Sequence, residues 1–111
     1  LYLSKNEISE MIKNGMFFGG HGYRHVRLGE LSFNEQNREI NKMLKFLKTY
    51  NIINNWIMCY PYGSFNKHTI SILSKKKCVL SFAADSGKSY LNNKNLFTIN
   101  RFDTNDIYKK F

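Results

Sequence analysis

The chain reads as an α/β protein with a mainly parallel sheet and helices packed on it, and three observations point that way. The stretch Trp56-Ile57-Met58-Cys59-Tyr60 is apolar without alternation, as in a strand buried on both faces. Amphipathic helical patterns lie between such runs, the arrangement of repeated strand-helix-strand units. Two chemistry-bearing motifs, one around His21 and His25 and one at Tyr60-Pro61-Tyr62-Gly63, each follow a predicted strand, where α/β folds collect their sites. Right-handed crossovers are expected.

Ser4-Lys5-Asn6-Glu7 has the form of a capping box and opens a helix whose apolar positions are Ile8, Met11 and Ile12, with Gly15 closing it. Met16 to Gly19 form a short apolar strand that runs into the histidine loop. Ser32-Phe33-Asn34-Glu35 repeats the capping box and starts the longest helix. Its Ile40, Met43, Leu44 and Leu47 recur at helical spacing, and it ends near Tyr50 and Asn51. The Trp56–Tyr60 strand stops at Pro61, which has no N–H for a ladder, and Trp56 is expected in the core. Asn66 caps a third helix that buries Ile70, Ile72 and Leu73, and Lys75-Lys76-Lys77 finish it where cations favour the helix dipole. Val79 to Ala83 form the next strand, Asp85-Ser86-Gly87 turn away, and Leu96 to Phe102 supply a last strand. The predicted order is αβαβαββ.

With 111 residues the chain is one domain at most. No apolar stretch approaches the roughly 20 residues that a membrane helix needs, so no transmembrane segment is expected. Cys59 and Cys78 are expected as buried free thiols. The net charge of +9 raises a nucleic-acid partner, but the lysines are scattered along every helix and asparagine is abundant, so none is expected.

In Gly19-Gly20-His21-Gly22-Tyr23-Arg24-His25, glycines allow tight turns directly after an apolar run. Two histidines four apart then reach one ion from a single backbone segment, since neutral imidazole nitrogen binds zinc at roughly 2.0 Å. Arg101 and Asp103 fall at the end of the last predicted strand, where they either line a pocket or form a structural ion pair or turn. Tyr23 and Arg24, between the histidines, face either substrate or solvent.

The ordered pair His21-x-x-x-His25 and Tyr60-Pro61-Tyr62-Gly63, joined by a long helix, resembles the polysaccharide deacetylases of the NodB homology domain, carbohydrate esterase family 4. The segments Cys78–Gly87 and Ile99–Asp103 look like the later strands of the branch that acts on poly-N-acetylglucosamine or other surface glycans, so the resemblance runs from about Ser4 to Asp106. It implies a distorted (β/α) barrel and metal-dependent removal of N- or O-acetyl groups from a sugar or surface polysaccharide. It implies that His21 and His25 are ligands of a divalent ion, usually zinc, and that the backbone N–H of Tyr62 belongs to an oxyanion hole. Tyr60 and Pro61 would shape the substrate groove, with Arg101 and Asp103 beside it. The partner implied is an acetylated glycan, and the location implied is the cell envelope or extracellular space, with the cytoplasm left open.

The chain also departs from the family pattern. An adjacent Asp-Asp pair, serving as general base and third metal ligand, is expected on an earlier strand, yet Asp85, Asp103 and Asp106 all follow the histidines. Cys59 stands where many members carry Arg, and no late histidine in a Leu-x-His setting is present. His68 falls in the third helix as a solvated residue. The expectation is therefore a single partial deacetylase domain over 1–111, with the aspartates upstream of Leu1, weak zinc binding and little activity in isolation. A sheet cut this way exposes an edge and apolar surface, which favours association or partial disorder, so an oligomer or a missing N-terminal segment is expected among the partners. The competing expectation is a non-catalytic α/β module that binds carbohydrate or a polyanion through Tyr23, Arg24, Arg27, Tyr60 and Tyr62. Salt dependence separates the two kinds of ligand.

Overall fold

The computed structural model describes residues 2–108. Their order is α1 (Lys5–Lys13), a 3-10 turn (Leu28–Glu30), α2 (Phe33–Lys48), β1 (Trp56–Cys59), a second 3-10 turn (Pro61–Gly63), α3 (Lys67–Lys75), β2 (Cys78–Phe82) and α4 (Thr104–Tyr108). All three helix starts read from the sequence are present. The Ser4 and Ser32 hydroxyls accept from the N–H of Glu7 and Glu35, whose carboxylates reach back to the serine N–H. Hydrogen bonds from the Ser4 backbone and hydroxyl hold the Glu7 carboxyl below its ordinary range. At the other end of α1, Gly15 N–H donates to the Ile12 carbonyl at 3.0 Å and Met16 N–H to that of Met11 at 2.9 Å, which ends the helix where expected.

β1 and β2 pair in parallel, Ile57 opposite Leu80 and Cys59 opposite Phe82, with an irregularity between Trp56 and Ile57. The two outer strands of the predicted order are reduced to single bridges. Gly20 makes a parallel bridge to Met58, its N–H donating to the Ile57 carbonyl at 2.8 Å and its carbonyl accepting from Cys59 N–H at 2.9 Å. Met16 and Phe17 lie largely exposed ahead of it. The backbone at Gly20 passes close against α2, where a Cβ would lie 2.5 Å from Met43 Sδ, so glycine is required at the bridge.

On the other side, the predicted Leu96–Phe102 strand is confined to a parallel bridge between Ile99 and Phe82. The chain just ahead of it is held in asparagine turns, and the Leu96 carbonyl accepts from Ser81 N–H of β2 at 2.8 Å before the bridge at Ile99. Asn92 Oδ1 accepts from Lys94 N–H at 2.9 Å, Asn95 Oδ1 from Asn92 N–H at 3.0 Å, and Asn95 Nδ2 donates to the Tyr90 carbonyl at 2.7 Å. These local bonds compete with the ladder. The order Gly20, β1, β2, Ile99 nevertheless runs parallel throughout.

Alternation along β1 separates two faces. Trp56, Met58 and Tyr60 join Leu28, Ile40, Met43, Leu47, Ile72, Leu73 and Cys78 in the core beneath α2 and α3. Ile57 and Cys59 face the opposite side. Trp56 is fully buried, as expected, and its Nε1–H donates to the Lys76 carbonyl at 2.8 Å, closing the end of α3. The buried face of α3 is Thr69, Ile72 and Leu73, with Ile70 only half-buried.

Two polar residues interrupt the buried stripe of α2. Gln36 donates to the Leu31 carbonyl at 2.9 Å and to Asn66 Oδ1 at 3.2 Å, and accepts from Thr69 Oγ1 at 2.6 Å, which ties α2 to α3. Glu39 faces the histidine loop.

Both cysteines are free; Cys78 is buried as expected, whereas Cys59 is only half-buried because strand alternation turns it to the open face away from α2 and α3. His68 is exposed on α3, its ring edge-on to Phe33 at 5.7 Å. Among the described residues no helix is long and apolar enough to cross a membrane.

Candidate active site

The four parallel positions deliver their C-terminal ends to one rim. Gly20 leads into His21, β1 into the Pro61–Gly63 turn, β2 into Ala83 and Ala84, and Ile99 into Arg101. His21 Nδ1 lies 2.9 Å from the carbonyl oxygen of Cys59. A carbonyl only accepts, so Nδ1 carries the proton and Nε2 presents a lone pair. That Nε2 faces His25 Nε2 at 3.1 Å, with ring centroids 4.8 Å apart. Two nitrogens bound to one tetrahedral zinc at about 2.0–2.1 Å stand about 3.3 Å apart, so this pair fits a shared ion with little movement. Among the described residues no cluster of three or more histidine, cysteine or acidic side chains forms, so these two imidazoles are the donors that this chain brings together.

Helix α2 and the Pro61–Gly63 turn anchor the loop at several points. Gly22 N–H points at Met43 Sδ at 3.3 Å, and Arg24 is bound through its backbone and side chain by Glu39. His25 adopts a left-handed φ of 56°, and its ring packs on that of Tyr62 at 4.7 Å. Left-handed conformations at residues other than glycine cost about 1–2 kcal/mol and persist only where their surroundings impose them.

Tyr62 is the second such residue, with φ 57° and ψ 14° inside the Pro61–Gly63 turn. The turn is closed by Gly63 N–H to the Tyr60 carbonyl at 2.9 Å and by Ser64 N–H to the Pro61 carbonyl at 3.0 Å. The Tyr62 N–H donates to no group among the described residues. Its ring is 57% exposed, with the Arg27 guanidinium 4.6 Å above it. Gly63 holds the turn against β2: its φ is 65°, and a Cβ there would run into Ala84. Gly63→Ala is expected to cost about 2–4 kcal/mol, the sum of left-handed alanine and overpacking, read as a lowered denaturant midpoint with unchanged slope.

The remaining sequence-predicted residues take differing positions. Tyr60 is 2% exposed, its hydroxyl donates to the Phe97 carbonyl at 2.8 Å, and its ring stacks on Phe65 at 4.6 Å. Burial pushes its phenol up to about 12. It supports the turn from below, because its place in the strand alternation aims it at the core, and Pro61 is likewise buried. Arg101 is exposed, and its Nε donates to the Ala83 carbonyl at 3.1 Å. With His21, Cys59, Gly19, Gly20 and Ile57 it lines an open depression of about 410 Å³ on the face opposite the helices. Burial raises the Cys59 thiol there, and the nearby Arg101 charge opposes that shift. Asp103 starts α4 instead, its Oδ1 accepting from Asn105 N–H at 2.8 Å while Asp106 accepts from Asp103 N–H at 3.2 Å. Asp103 thus caps the second N–H of α4 while Asp106 reaches back to the Asp103 N–H, half of the reciprocal arrangement seen at α1 and α2.

Glu39 and Met43 were not singled out as site residues. The signal for Glu39 is an acidic residue at a core position of an amphipathic helix.

A model of the family described as polysaccharide deacetylase matches residues 3–80. Among solved structures, the deacetylase PplD of Streptococcus pyogenes, in complex with acetate, superposes with a TM-score of 0.80 at 24% identity, covering 96% of this chain and 50% of that one. IcaB from Ammonifex degensii superposes with a TM-score of 0.76 at 18% identity, covering 95% and 50%. The fold is thus that of these proteins, and the chain spans half the length of each. No curated protein sequence matches. With most of its length matched by the family model, the chain belongs to the polysaccharide deacetylase family.

Proposed function

We propose that the chain contributes the histidine half of a metal-dependent deacetylase site acting on an acetylated sugar or surface polysaccharide. The observation that carries this reading is the pair of facing Nε2 atoms 3.1 Å apart, beside a turn whose Tyr62 N–H has no acceptor among the described residues. His21 and His25 would hold a divalent ion, most simply zinc, which when bound would supply Lewis acidity toward an acetyl carbonyl. The chain's own residues do the rest of what is visible. The Cys59 carbonyl holds His21 in the tautomer that leaves Nε2 free, and His25 meets it from its left-handed position. The Tyr62 N–H serves as the donor that stabilises negative charge developing on the acetyl oxygen, a role typically worth a few kcal/mol. Tyr60 and Pro61 hold that N–H from beneath, and Arg101 borders the depression next to His21. The exposed Tyr62 ring offers an apolar face to a sugar.

The same reading assigns the general base and a further ligand to carboxylates outside these residues, so that 1–111 is a partial domain. That the chain spans half of each superposed structure supports it. The test is paired. The chain alone should take up zinc in the micromolar range by titration and release no acetate from an N-acetylglucosamine oligomer. The gene product that contains it should release acetate, stop on chelation and recover with zinc. Acetate release insensitive to chelator would overturn the proposal.

A further inference from the structure

We propose that Glu39, on the buried face of α2, is a positioning residue that sets the spacing of the two imidazoles by gripping Arg24 between them. The inference rests on the metal reading for its functional meaning but on geometry for its content. Glu39 is 2% exposed and occupies the stripe Gln36, Glu39, Ile40, Met43, Leu47. A carboxylate so placed is costly unless fully hydrogen-bonded. Its two oxygens are both used by one residue of the loop: Oε2 accepts the Arg24 backbone N–H at 3.0 Å and Oε1 accepts Arg24 Nε at 2.5 Å.

The main-chain bond is the consequential one. It fixes the peptide unit entering Arg24, one residue before His25 takes its φ of 56°. The guanidinium itself is not what needs hiding, since the Arg24 side chain is 60% exposed. One helical turn further on, Met43 Sδ meets Gly22 N–H at 3.3 Å. Helix α2 therefore grips the loop at residues 22 and 24, and residues 21 and 25 are left to face each other. Removing the Arg24 anchor lets the His25 backbone relax toward an ordinary φ, which swings its ring away from His21 and Tyr62.

Three variants separate this from a general contribution to stability. Glu39→Leu keeps the volume, removes both acceptors and should fold, since an apolar residue in a buried ionic position is often tolerated. It is expected to weaken zinc binding, measured by titration, about 10–100-fold, the usual effect of losing a group that orients a ligand. Glu39→Gln keeps one acceptor for the Arg24 N–H and is expected to stay within about threefold of the parent by the same measure. Leu47→Ala, on the same face about two turns away, lowers Tm and should leave zinc affinity unchanged. In the zinc-free protein, proton NOEs between the His25 and Tyr62 rings should be present in the parent and in Glu39→Gln and lost in Glu39→Leu. If the parent takes up no zinc, the metal reading fails, and the NOEs alone decide the role of Glu39. Glu39→Leu with parental NOEs and parental zinc affinity, or Glu39→Gln as damaging as Glu39→Leu, would overturn the inference.

Discussion

His25→Ala is expected to lower zinc affinity of the chain by about 100-fold or more, with little change in Tm. A structural zinc site of four ligands is worth about 10–16 kcal/mol, or about 2.5–4 kcal/mol per ligand, which corresponds to about 100- to 1000-fold in affinity. With two imidazoles as the donors brought together, deletion of either leaves a single nitrogen. The side chain is exposed, so its loss removes little packing. His21→Ala should be equally severe for zinc, and it also frees the Cys59 carbonyl that now accepts Nδ1–H at 2.9 Å. Competition against a chromophoric chelator measures both variants. Zinc affinity in both variants equal to that of the parent would disprove ligation by this pair.

The second large effect is on folding. Trp56 has no exposed surface, fills the core between β1 and the helices, and donates Nε1–H to the Lys76 carbonyl at the end of α3. Trp56→Ala removes the largest buried side chain and leaves that carbonyl without its donor. Truncations of this kind cost about 3–5 kcal/mol, against a total stability of about 5–15 kcal/mol for a domain. A fall in Tm of about 20 °C is expected for a chain of this size, read by circular dichroism. A fall of less than about 5 °C would mean that the site collapses around the gap. Trp56→Phe, which keeps most of the ring and loses the donor, should fall between the two and so separate packing from the hydrogen bond.

Local signals in the sequence were reliable where the physics is local. Ser4 with Glu7, Ser32 with Glu35, and Asn66 each satisfy first-turn N–H groups within three residues, so the helix starts could be read directly. Asp103, an aspartate that accepts from Asn105 N–H, is an N-cap signal of the same local kind for α4. The strands at Trp56 and Cys78 were legible from uninterrupted apolar runs. The strands at Met16 and Leu96 were not, because ladder formation depends on neighbours: pairing on one side is confined to Gly20, and on the other Asn92 and Asn95 hold the backbone ahead of Leu96 in turns. Tyr60 and Tyr62 looked alike in the motif. They differ because strand alternation sends Tyr60 inward, whereas Tyr62, in the left-handed turn, presents its ring outward.

By itself the sequence determined the family, the helix starts, the parallel α/β plan and the two motifs, because spacing, capping and apolar runs act over a few residues. Only the tertiary structure decided that the imidazoles of His21 and His25 converge, that Tyr62 and His25 are both held left-handed, and that Glu39 reaches Arg24. Those facts depend on where α2 lies against the loop and on where β1 ends beside it. The contacts that hold the loop join residues from 15 positions apart, Arg24 with Glu39, to 38 apart, His21 with Cys59, and no local pattern specifies a distance across the fold.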